Sequence, residues 1–116
     1  MIARALAGAW AIHFGMDLDL PIETSPEEIA AFCQRHGIAR LSLFGSVLRD
    51  DFTPESDVDV LVEFLPDARP TLFTLAGLQA DLTDMLGRQV DLRTPLDLSE
   101  RFRAEVLAAS RTLHAA

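Results

Sequence analysis

The sequence predicts a small mixed β-sheet backed by helices, a two-layer α/β (α+β) domain, and three observations carry that prediction. Apolar runs of strand length recur at residues 38–44, 57–64 and 88–93, each closed by a turn signal. Helix-periodic segments with start and stop residues lie between and around them. The length, 116 residues, suits one domain with a real core and leaves no room for a separate substrate domain.

In chain order, Met1 to Ile12 holds an apolar run too short to span a membrane. It is also a poor secretory signal, since Gly15-Met16-Asp17-Leu18-Asp19 is a weak cleavage region. Residues 1–20 therefore read as an N-terminal extension, helical or loosely ordered, with Met16 a more natural start; residues 21–116 read as the domain. Ser25-Pro26-Glu27-Glu28 is a capping box with Pro at the first helical position. Ile29, Phe32 and Cys33 give that helix its apolar face, and Gly37 after His36 stops it. Ile38 to Phe44 is the first strand, Gly45-Ser46 a turn, and Val47 to Arg49 a short helical piece. Asp50 to Ser56 is loop, and Asp57 to Phe64 the second strand, with Val58, Val60 and Val62 facing the core. After Pro70 comes a long helix with Leu72, Leu75, Leu82, Met85 and Leu86 at helical spacing, ended by Gly87. Arg88 to Arg93 is a third, short strand. Ser99 then caps a last helix with Phe102, Val106, Leu107 and Leu113 on its inner side.

Ten Arg, no Lys and 18 acids give a net charge of −8. So acidic a chain offers no broad phosphate-binding surface, which argues against general nucleic-acid binding and for a basic protein partner or metal-bridged anions. The lone Cys33 permits no internal disulfide, which suits the cytoplasm, and reads as a small buried apolar residue.

Chemistry concentrates around the second strand. Asp57 and Asp59 alternate onto one strand face, about 6–7 Å apart along the backbone. Carboxylates at the start of a buried strand are costly unless compensated, and a hard divalent cation compensates them well. Asp91, flanked by Val90 and Leu92, joins the same cluster if the third strand neighbours the second. Three carboxylates around two Mg²⁺ ions roughly 3.5–4 Å apart suit in-line displacement at phosphorus. Singly, each acid reads as a turn cap or a solvated edge residue; the combination with Gly45-Ser46 upstream is what singles them out. Gly45 permits close backbone approach, and Ser46 adds a hydroxyl for phosphate oxygens. Arg49 reaches a triphosphate or pairs with Asp50 or Asp51, and the sequence leaves both open. Arg88 and Arg93 read as solvated. His13, His36 and His114 lack zinc-site spacing. A P-loop, a nucleophile elbow and a calcium loop are all absent.

Gly45-Ser46, ten residues, then Asp57-x-Asp59 resembles the polymerase-β-like nucleotidyltransferase superfamily. Phe44-Gly-Ser-Val-Leu-Arg49, Ser56-Asp-Val-Asp-Val-Leu-Val-Glu-Phe64, and Leu86-Gly-Arg-Gln-Val-Asp-Leu92 followed by Thr94-Pro95 resemble its minimal nucleotidyltransferase (MNT) members more closely. The resemblance runs from about Ser25 to Leu113. It implies a polymerase-β-like sheet, Asp57 and Asp59 as metal ligands, Asp91 as a third ligand or the base, and Gly45 and Ser46 on the nucleotide phosphates.

The resemblance also implies a role as antitoxin of a HEPN-domain ribonuclease toxin, with AMP moved from ATP onto a toxin tyrosine and Mg²⁺ as cofactor. An acidic surface would complement a basic, RNA-cutting partner. Two other functions fit the same residues: a non-catalytic antitoxin that acts by contact, and an aminoglycoside-type small-molecule nucleotidyltransferase working as a dimer. The sequence leaves the homo-oligomeric state open and shows no membrane segment.

Overall fold

Local chemistry sets the first well-marked element. The computed structural model describes residues 11–12, 20–21, 25–48, 53 and 55–116, the first two pairs by their backbone alone. Ser25 is the N-cap of α1 (Pro26–His36), its hydroxyl accepting from the Glu28 amide at 3.2 Å. Gly37 ends α1 at φ 67°, a left-handed conformation that glycine adopts without the Cβ penalty. Both boundaries match the sequence reading.

Strands β1 (Ala11–Ile12) and β2 (Leu20–Pro21) form a short antiparallel pair, so this part of the extension is extended backbone and not helix. A four-stranded sheet follows in the order β5-β4-β3-β6. Its strands are β3 (Ile38–Phe44), β4 (Val58–Phe64), β5 (Val90–Arg93) and β6 (Arg111–Ala115). β3 runs antiparallel to β4 and to β6, whereas β4 and β5 are parallel, which makes the sheet mixed. Helix α2 (Leu72–Leu86) is capped by the Thr71 hydroxyl, ends at Gly87, and supplies the crossover between β4 and β5. Helix α3 (Glu100–Ala109) joins β5 to β6 after a 3-10 turn at Pro95–Asp97.

The core is one cluster. Ile29, Phe32 and Cys33 of α1 and Leu78, Leu82 and Leu86 of α2 pack with Leu41 and Leu43 of β3, Val58, Val60 and Val62 of β4, and Val90 of β5. Each such side chain stabilises the fold by roughly 1.5–3 kcal/mol on full burial. Three expectations need correction. Leu72 is 83% exposed, because α2 turns Leu78, Leu82 and Leu86 inward instead. Leu113 belongs to β6, not to the last helix, which stops when Ser110 turns extended. Ser99 stands at the N-cap of α3 without a side-chain capping bond, and Phe102 is half exposed, so α3 buries no residue fully.

Candidate active site

The site grows from the end of β3. There Phe44 pairs with Asp59 of β4, so the next residue, Gly45, passes directly over the Asp59 carboxylate. A Cβ on Gly45 would fall on Oδ2 of Asp59 and lie 3.1 Å from its Cγ. Gly45 also sits at φ 76°. Glycine is required twice over, by its backbone angle and by the absence of room. Ser46 follows in the 3-10 turn Gly45–Leu48 and is half-buried.

Asp57 is exposed and lies one residue before β4 begins. The turn ahead of it is pinned: Ser56 N–H donates to the Thr53 carbonyl at 2.9 Å, and the Thr53 amide donates to Ser56 Oγ at 3.0 Å. Arg88, expected to be solvated, donates to that same Thr53 carbonyl at 3.2 Å, which ties the turn to the α2–β5 connection. The Val58 amide donates to the Gln89 carbonyl at 2.8 Å, starting the parallel ladder.

That ladder decides where Asp91 stands. Val58 pairs with Val90, and Asp59 with Asp91, so the two acids are opposite each other. In a parallel pair, opposite residues share a face. The third strand is therefore the neighbour that three-acid convergence requires. Asp91 does not, however, present free oxygens to Asp59. Arg93, two residues on, donates from Nε to Oδ1 and from Nη2 to Oδ2, both at 3.2 Å. Among the described residues, no three His, Cys, Asp or Glu side chains are gathered closely enough to hold a metal ion. Arg49 lies outside the described residues.

The fork holds the Arg93 pKa above its ordinary value, first through the hydrogen bond to Asp91 and then through that carboxylate's charge; Asp97 and Asp59 add smaller contributions. Both partners are exposed enough for water to screen the pair, so it contributes little to overall stability.

Sequence reasoning missed two further residues. Gln79 Oε1 accepts from the Leu92 amide at 2.9 Å, and Thr83 Oγ1 from the Val90 amide at 3.1 Å. Four residues of helix advance about 6 Å and two residues of strand about 6.6 Å. Two side chains on one face of α2 can therefore serve two successive outward amides of β5. This seals the edge strand and fixes Asp91 against Asp59. The amphipathic spacing of polar residues on a helix was the available signal, though it did not name their partners.

Residues of this kind suit a hard divalent cation. Asp57 and Asp59 are oxygen donors of the type Mg²⁺ prefers, and the missing side chain of Gly45 lets the backbone lie against the Asp59 carboxylate without displacing it.

Comparison with known proteins places this geometry. Residues 26–114 match the nucleotidyltransferase domain, and the chain belongs to that family. Within the family it is similar to a solved minimal nucleotidyltransferase, at 36% identity and a TM-score of 0.61, over 73% of this chain and 85% of that one. Protein adenylyltransferase MntA of Thermococcus cleftensis is 37% identical over 59 residues, 51% of this chain and 58% of that protein. A Methanocaldococcus jannaschii protein assigned as a protein adenylyltransferase is 40% identical over 60 residues, 52% of this chain and 62% of its own length. The chain thus spans about three-fifths of these relatives. A toxin–antitoxin complex solved with AMP-PNP shares the fold, with a TM-score of 0.63 at 19% identity over 78% of this chain and 73% of that one.

Proposed function

We propose that this chain is a nucleotidyltransferase that transfers AMP from ATP to a tyrosine of a HEPN-domain toxin and so acts as its antitoxin in the cytoplasm. The observation that carries the reading is the contact of the Gly45 backbone with the Asp59 carboxylate, with Asp91 opposite in register. This is a phosphate-binding bend set over paired acids. The similarity to MntA of Thermococcus cleftensis supports adenylyl transfer to a protein. The shared fold of a solved complex between a tri-AMPylated Shewanella oneidensis HEPN toxin and its MNT antitoxin supports the partner class (TM-score 0.56, 19% identity).

In the proposed reaction the tyrosine oxygen forms a bond to the α-phosphorus of ATP while the bond to the bridging oxygen breaks and pyrophosphate departs. Gly45 and Ser46 bind phosphate oxygens through a backbone amide and a hydroxyl. Asp57 and Asp59 would hold Mg²⁺, which supplies charge stabilisation at the phosphoryl oxygens. Asp91 completes the acid set as a further ligand or as acceptor of the tyrosine proton.

One observation favours a second reading, an antitoxin that works by contact alone: both Asp91 oxygens are engaged by Arg93. The two readings part experimentally. The purified pair, incubated with ATP and Mg²⁺ and weighed by intact mass spectrometry, gains whole adenylate units on the toxin if transfer occurs. Neutralisation that survives Asp57→Ala with Asp59→Ala undiminished would falsify the enzymatic account.

A further inference from the structure

Asp59 and Asp91 set two like charges opposite each other across the β4–β5 pairing. Like charges directly opposite each other on neighbouring strands destabilise the pairing. The chain supplies its own answer on the same strand. Arg93 lies two residues beyond Asp91, hence on the same face of β5, and its guanidinium meets both Asp91 oxygens at 3.2 Å. Asp97 is anchored nearby, its Oδ2 accepting from the Thr94 amide at 3.0 Å. The guanidinium thus faces acids from β4, β5 and the 3-10 turn, and all three raise its pKa.

We infer that Arg93 is a built-in counter-cation: it supports the β4–β5 pairing while no divalent ion is bound and competes with that ion for Asp91, so that it sets the metal affinity of the site. The inference rests on the proposed reading that Asp57 and Asp59 hold a divalent cation, with Asp91 as its further ligand. Arginine carries its charge at every pH a protein survives, so only movement of the side chain releases Asp91. That movement is available, because the side chain is 47% exposed. A screened, exposed pair limits the effect to a modest factor.

The test uses the full chain alone, titrated with Mn²⁺ and followed by electron paramagnetic resonance of the free ion at low salt. Arg93→Gln keeps the bulk and removes the charge; it is expected to bind Mn²⁺ roughly 3- to 10-fold more tightly than the native chain. The difference should shrink near 1 M salt, where screening acts within about 3 Å. Without metal, Arg93→Gln should melt only slightly below the native chain, as a screened pair allows, and Mn²⁺ should close that small gap. Arg93→Lys, charged but unable to fork, should fall between the two in affinity. If Arg93→Gln binds Mn²⁺ equally or more weakly while Asp59→Asn abolishes binding, the counter-cation role is overturned and the metal reading stands. If native chain and Asp59→Asn alike fail to bind Mn²⁺, the metal reading itself falls, and this inference with it.

Discussion

The two edges of the sheet are built to different standards. On one side β5 carries Asp91, pairs in unbroken parallel register with β4, and has its outward amides at Val90 and Leu92 taken by Thr83 and Gln79. On the other side β6 pairs with β3 through a register shift between Leu41 and Ser42, and Leu113 is its one buried residue. A one-residue slip in a strand moves every side chain to the opposite face. At β5 that slip would carry Asp91 away from Asp59; at β6 it would misplace a single leucine. Register is held most firmly at the edge that bears an acid of the proposed site.

Five substitutions probe this contrast. The largest effect is expected on the acid side, for Asp59→Asn. Charge stabilisation of this type amounts to several kcal/mol, so adenylate transfer should fall about a thousandfold while the chain still folds. Rates from intact mass, with circular dichroism as the control, check this; a variant within tenfold of native activity would remove Asp59 from the chemistry. Gly45→Ala comes next. The left-handed angle costs about 1–2 kcal/mol in any residue with a Cβ, and the new methyl pushes on the Asp59 carboxylate. A displacement of about 1 Å can cost roughly a hundredfold in rate, so transfer should fall by up to that factor. Leu113→Ala should do the reverse on the far edge. It removes a nearly buried side chain, lowers unfolding stability by about 2–3 kcal/mol in urea, and leaves transfer per folded molecule unchanged.

How far the sequence revealed this contrast depends on what each feature needs. α1 was legible from Ser25, Pro26 and Gly37, because capping and φ preferences act within four residues. β3, β4 and the core valines were legible from strand alternation, and the Gly45-to-Asp59 spacing pointed to the site. β6 was not legible. Arg111-Thr-Leu-His-Ala115 has no strong strand alternation, and no glycine or proline separates it from α3, so Leu113 continued a plausible helical period. Arg93 was read as solvated, and it is exposed, but its fork to Asp91 was not foreseen although the two-residue spacing places both on one strand face. Pairing along a strand has no signal as direct as a cap. Gln79 and Thr83 were out of reach for a different reason. Their partners are backbone amides of another element, and which amides lack acceptors is known only once the strand order is fixed.

The smallest expected effect is also the most direct comparison of the two edges. Gln79→Leu leaves the Leu92 amide without its acceptor in a half-buried position, at a cost of about 1–2 kcal/mol. Thr112→Val, at an exposed site on β6, should change stability by less than about 0.5 kcal/mol. Amide hydrogen exchange separates a local effect from a global one. In Gln79→Leu, protection should drop at Leu92 by about tenfold or more while amides of β3 keep theirs, because only the outer edge of β5 opens. If the two substitutions cost the same and Leu92 exchanges as before, α2 does not hold that edge, and Asp91 owes its register to the β4 ladder alone.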